Sequence, residues 1–194
     1  MFSALNHQIL QNKVMKSLFI LPLVTIATSS FATNWSITPQ SNVGFYIQSM
    51  GVKVVKGRFN QVQSNFNLDP KAIQNAQANF TMNVNSLSLS KPSMMNMMMG
   101  KDLFYAEKYK TVTFKSSQFK PLGQNKYAVS GQLTLRGVTR PVVFTTTLTP
   151  TNDKSLMAIH SSTQIDRSDF GMKPAIGGIG EKVNLVVDGQ IRSK

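Results

Sequence analysis

Period two dominates the chain. From Ala76 to Asn85 the residues read A-Q-A-N-F-T-M-N-V-N: Ala76, Ala78, Phe80, Met82 and Val84 share one face, and Gln77, Asn79, Thr81, Asn83 and Asn85 the other. Strict alternation marks a strand with one dry and one wet face. The pattern returns at Val43, Phe45 and Ile47, at Tyr127, Val129, Gly131, Leu133 and Leu135, and at Val183, Leu185, Val187, Gly189 and Ile191. Met157, Ile159, Ser161, Thr163 and Ile165 follow it more loosely. Further strands are expected at Val52–Phe59, Val62–Leu68, Thr111–Phe119 and Val142–Thr149. Turn signals at Leu68-Asp69-Pro70, Pro121-Leu122-Gly123, Arg136-Gly137-Val138 and Thr151-Asn152-Asp153 separate them. Many short alternating strands joined by tight turns predict an all-β domain, an extended antiparallel barrel or sandwich, and closure into a barrel removes exposed edges.

Two stretches break the period. Lys91–Lys110 reads KPSMMNMMMGKDLFYAEKYK, with Pro92 placed to open a short helix and Gly100 to end it. Asp102 is placed to cap a second helical turn through Leu103–Lys108, so a helical insertion is expected around Pro92–Lys108. At the N-terminus Lys13 and Lys16 precede an apolar run from Ser17 to Ala27, followed by Ser30 and Ala32 at small-x-small spacing. This is the layout of a cleavable export signal over residues 1–32, leaving a domain over residues 33–194. The run is shorter than the ~20 residues a membrane span needs, and Pro22 interrupts it. MKSLFILPLVTIATSSFA, from Met15, is a complete signal by itself, so Met15 is read as the start.

Composition narrows the chemistry. The 194 residues include no Cys and two His, which excludes a disulfide scaffold, a thiolate site, a cysteine nucleophile and a three-imidazole metal site. Hydrophobic residues make up 41% and charged residues 15%, the profile of a packed domain. The net charge is +13, of which the leader removes Lys13 and Lys16 to leave +11. The basic residues are scattered and the protein is read as exported, so no nucleic-acid partner is expected. A transient contact with an anionic membrane surface fits better.

Several segments together resemble the YceI-like family of secreted, lipocalin-like barrels. W-S-I-T from Trp35 with Ser41 and V-G-F-Y-I from Val43 resemble its first strand, and V-V-K-G-R-F, Val54–Phe59, its second. Asp102–Ser117, DLFYAEKYKTVTFKSS, is similar to the segment after its helix. The most specific match is Gly131–Val142, GQLTLRGVTRPV, followed by IDRSDFGM at Ile165–Met172 and V-N-L-V-V at Val183–Val187. The resemblance implies a barrel enclosing a long apolar cavity. It implies periplasmic binding of an isoprenoid or fatty-acid-like lipid, a polyisoprenoid quinone among the candidates, with no catalytic apparatus or other cofactor. The chain departs from the pattern at Ser49, where family members usually carry His. It departs again at Met94, Met95, Asn96, Met97 and Met98, where they carry an Arg-Asp-x-His-Leu-like run.

Inward phase and proximity to a mouth beside the Met-rich segment select Phe45, Phe80, Met82, Met97, Met98, Leu103, Phe104, Phe114 and Leu133 as cavity lining. The Met cluster also reads as packing of an amphipathic helix, or as a Cu(I) site built on Met94, Met97 and Met98, since soft thioethers select that ion. A filled-core stress or surface protein is a further alternative. Arg167, between Asp166 and Asp169, is either a rim residue for a polar head group or a salt-bridged corner. Gly177-Gly178-Ile179-Gly180 lacks the strand–loop–helix setting and the Lys of a phosphate cradle and reads as a hairpin loop. His160 reads as an exposed strand residue. No catalytic constellation stands out. The oligomeric state is not legible, a dimer included.

Overall fold

The computed structural model describes residues 33–49, 52–174 and 180–194. The expected signal segment, the Met15 start and Gly177–Ile179 lie outside these. Among the described residues there are eleven strands: β1 Thr33–Ile37, β2 Asn42–Ser49, β3 Val52–Phe59, β4 Val62–Leu68, β5 Gln77–Asn83, β6 Leu87–Leu89, β7 Thr111–Gly123, β8 Lys126–Leu135, β9 Val138–Pro150, β10 Leu156–Asp166 and β11 Lys182–Ser193. One short helix, α1, spans Met95–Met99.

Eight of these strands close a barrel in the order β1-β4-β5-β7-β8-β9-β10-β11, with β11 returning to β1. All pairings are antiparallel, because short hairpin turns join most neighbours. On the edge away from β10, strand β11 serves two partners. Ile191–Ser193 pair with Trp35–Ile37 of β1, and Val183–Asp188 pair with Asn42–Ile47 of β2. Strands β2, β3 and β6 continue the sheet beyond the ring. Thus β1 with β2, β3 with β4, and β5 with β6 are three long strands, each interrupted at one level.

Polar residues satisfy the backbone at this break. The Ser41 hydroxyl accepts from the Gln190 N–H (2.9 Å) and donates to the Gln190 carbonyl (3.0 Å). Gly189 beside it has φ +149°, and a Cβ there would lie 2.2 Å from that hydroxyl. The Ser86 hydroxyl accepts from the Gln61 N–H, and its carbonyl from the Asn60 N–H. The strand predicted from Ala76 therefore ends at Asn83, although Val84 stays buried and Asn85 exposed as the alternation expects. Val84–Ser86 form a 3-10 turn whose first free N–H is capped by the Asn83 side chain.

Two expectations are corrected. Pro121-Leu122-Gly123 is not the β7–β8 turn. These residues stay in β7, a bulge falls between Pro121 and Gly123, and the chain reverses at Gln124 (φ 50°) and Asn125 (φ 61°). Both take the left-handed backbone of a two-residue hairpin turn. The insertion is also less helical than expected. Pro92–Met94 form a 3-10 turn, α1 is a single five-residue turn, and Leu103–Lys108 form turns rather than a helix. Tyr105, at φ 49°, is incompatible with helix, and the Asp102 carbonyl is drawn to the Lys173 N–H (2.7 Å).

The insertion fills the space between β6 and the remaining end of the barrel. The Phe104 N–H reaches the Met98 carbonyl, Arg136 Nη2 donates to the Lys101 carbonyl (2.6 Å), and the Val84 N–H to that of Lys110. The Tyr109 ring lies against Gly137, where a Cβ would be 2.6 Å from it and where φ is +74°. Gly137→Ala is therefore expected to cost about 2 kcal/mol, from backbone strain plus displacement of Tyr109. Denaturant unfolding checks this, and an unchanged midpoint would contradict it.

Candidate functional site

The inward half of each alternating strand faces a lumen, and the lumen is not filled. A cavity of about 110 Å³ runs between the two halves of the barrel. At ≳10–15 Å³ of such volume per water, this is room for several waters, yet the walls are almost wholly apolar. Among the described residues the lining side chains include three polar ones, Thr146, Ser161 and Arg167.

Aromatic rings set the shape. Phe66 and Phe80 meet edge-to-face at 5.2 Å, as do Phe114 and Phe144 at 5.1 Å. Near α1, Phe104 sits 5.9 Å from Phe45 and 6.2 Å from Phe59. Small residues leave the room between them. Ala78 lies in the wall, and Gly131 admits the Phe114 ring, which a Cβ would approach to 2.6 Å.

Of the residues selected from sequence, Phe45, Phe80, Met82, Met98, Leu103, Phe104, Phe114 and Leu133 line this cavity. Met97 does not; it is half-buried and packs on the core. Adjacent helical residues point about 100° apart, so α1 turns only one of the pair inward, and it turns Met98. Met94 precedes α1 in the 3-10 turn, so Met94, Met97 and Met98 do not share one regular helical face. The lining also includes Phe119, Phe144, Leu148, Ile159, Met172 and Val183. Most of these carried the same alternation signal. Proximity to the Met segment excluded them, because the cavity reaches further from α1 than that criterion allows.

Arg167 is 2% exposed. It begins a 3-10 turn after β10, closed by Gly171 at φ +69°. Its ion-pair partner is neither neighbouring aspartate. Asp166 pairs with Lys182 at 3.0 Å, while Arg167 Nε lies 3.9 Å from Glu181 Oε2. The other Glu181 oxygen accepts from the N–H and hydroxyl of Ser168. Burial pulls the Arg167 pKa below its ordinary value, and the Glu181 charge opposes that pull. The corner is thus ion-paired, and Arg167 also lines the cavity. His160 is exposed and lies 3.7 Å from Asp188.

A closed antiparallel barrel around an apolar lumen, with a short helical insertion across one end, defines a lipocalin-like architecture. The chain belongs to the YceI-like domain family, whose pattern matches residues 35–191. A UPF0312 protein of Photorhabdus laumondii is 28% identical over 172 residues, 85% of this chain and 89% of the relative. One from Yersinia pestis is 26% identical over 183 residues, 91% of this chain and 95% of the relative. Among solved structures, Burkholderia cenocepacia BcnA matches with a TM-score of 0.72 at 25% identity, over 80% of this chain and 98% of BcnA. The Campylobacter jejuni YceI protein matches at 0.65 and 22% identity, over 78% and 91% of the two chains. A polyisoprenoid-binding domain from Saccharophagus degradans, implicated in plant cell wall breakdown, matches at 0.61 and 13% identity, over 84% and 99%. The last two share the fold.

Removing the charge at the buried corner should reveal its coupling. Arg167→Met is expected to lower stability by about 1–3 kcal/mol, and Glu181→Gln to cost less in that background than in the wild type. Denaturant unfolding of the four proteins checks this, with strict additivity as the contrary result.

Proposed function

We propose that this chain is an exported binding protein that carries a long-chain isoprenoid or related amphiphile in its barrel. The apolar, unfilled lumen is the observation that carries the reading. Burying apolar carbon gains roughly 0.8 kcal/mol per CH₂, so each five-carbon isoprene unit is worth about 3–4 kcal/mol before ordering costs. A few units supply the ~8 kcal/mol of micromolar affinity with no catalytic group or charged anchor. The cavity is narrow at about 110 Å³. A longer chain enters by side-chain movement, which the unbranched thioethers of Met82, Met98 and Met172 allow.

Membership in the YceI-like family supports a binding role rather than catalysis, and the Saccharophagus neighbour is described as polyisoprenoid-binding. The leader-like segment before Thr33 supports a periplasmic site of action. The mouth is assigned to the end bearing α1, where Arg167, Met98 and Leu103 line the cavity. The isoprenoid comes from the membrane, and contact with an anionic surface by this basic protein is part of the same reading.

Solvent extraction of protein purified from its native compartment, followed by mass spectrometry, tests the proposal. A stoichiometric prenyl or acyl lipid is expected, on a mature chain beginning at Thr33. Ala78→Leu intrudes into the lumen and should lower bound lipid about tenfold, the worth of roughly two buried methylenes. A folded wild type that releases no lipid, or a variant that retains it fully, would overturn the reading.

A further inference from the structure

The lumen has a second polar mark, away from the helical end. Thr146 of β9 and Ser161 of β10 are direct cross-strand partners, both point inward, and both are buried. Their hydroxyl oxygens are 2.7 Å apart, and both residues line the cavity. Each hydroxyl owns one proton. One proton is spent on the bond between them, so the accepting hydroxyl keeps its own. Among the described residues neither hydroxyl has another partner. A buried O–H with no acceptor costs free energy, and such groups in native proteins are normally satisfied by protein, water or ligand. Around this one is an apolar void.

Its depth can be placed. Arg167 follows β10, six residues beyond Ser161, a path of about 20 Å at the usual strand rise. In the other direction Leu148 and Ile159 face each other one pleat further on and also line the cavity. Beyond them the β7–β8 turn closes in, where the Asn125 carbonyl accepts from the Leu148 N–H. Tyr127 of β8 is in register with Thr146 and packs against the core without lining the cavity. Within the lining, Arg167 and the Thr146–Ser161 pair are separated by aliphatic and aromatic side chains.

We infer that the Thr146–Ser161 pair is a ligand subsite that donates a hydrogen bond to a neutral oxygen acceptor, a ketone, quinone or ester carbonyl, at the end of the ligand lying farthest from Arg167. The inference rests on the proposed lipid-binding reading and names the chemistry of its deep end. The acceptor is neutral because, among the described residues, no cation lines the wall at that level, and burying an anion there is expensive. The subsite selects a chain that carries oxygen at the terminus inserted deepest, over a hydrocarbon of the same length. A purely structural cross-strand pair would add stability and make no such distinction.

The test uses the wild-type mature chain with two probes: farnesylacetone, an isoprenoid methyl ketone, and the hydrocarbon of the same skeleton. Tryptophan-quenching or calorimetric titration should show a three- to tenfold preference for the ketone. In the near-isosteric double variant Thr146→Val, Ser161→Ala the preference should fall to about one, while Thr146→Ser, which keeps both hydroxyls, should retain it. A direct measurement does not depend on the variants folding: the acetyl methyl of bound farnesylacetone should give a nuclear Overhauser contact to the Thr146 methyl. Equal affinity of the wild type for the two probes, an unaltered preference in the double variant, or an acetyl contact confined to Met98 and Leu103 would overturn the inference while leaving lipid binding intact. Binding of neither probe would overturn both.

Discussion

The structure depends on one joint, the return of β11 to β1. Three cross-strand pairs, Trp35 with Ser193, Ser36 with Arg192 and Ile37 with Ile191, convert a long twisted sheet into a ring. Once the ring closes, every inward side chain on its eight strands shares one enclosed volume. A residue that alternation would leave half-buried on an open sheet is then buried on all sides. Ile191, on that joint, has no measurable exposure. Closure thus links a periodicity of two in the sequence to a lumen in the fold.

Whether that lumen is filled depends on side-chain volume, and here large and small residues are mixed. Phe45, Phe80, Phe114 and Phe144 reach across it, while Ala78, Gly131 and Ser161 hold back. The rings stack edge-on around the space rather than occupying its whole length. Thioethers at Met82, Met98 and Met172 are the adjustable part of this wall, and the rings are its rigid part.

How much of this was legible follows the physics of each signal. Alternation is strong and local, so the sequence alone assigns Phe80, Met82 and Leu133 to the lumen. A single helical turn is a weaker constraint. The run Met94–Met99 offers apolar residues at every phase but that of Asn96, and only the docking of α1 decides that Met98 rather than Met97 faces in. The reversal at Gln124–Asn125 was missed because Pro and Gly advertise turns more loudly than Gln does; Gly123 served a bulge instead. The Arg167 environment was half-readable. Flanking aspartates suggested an ion pair, but its partner, Glu181, lies across the fold and carries no local signal. Ser161 was read as a small inward residue, and its role as half of a hydroxyl pair needed the register that places Thr146 opposite it.

One feature of the sheet bears on how such a molecule is handled in a crowded compartment. The outermost strand of the sheet beyond the ring is β6, and it is three residues long. Ser88 and Ser90 turn hydrogen bonds from that margin back toward β3. An unsatisfied strand rim is a template on which other chains add and fibrils begin, and here it is too brief to serve as one. That rim therefore offers an incoming strand only one or two ladder bonds, too few to hold it.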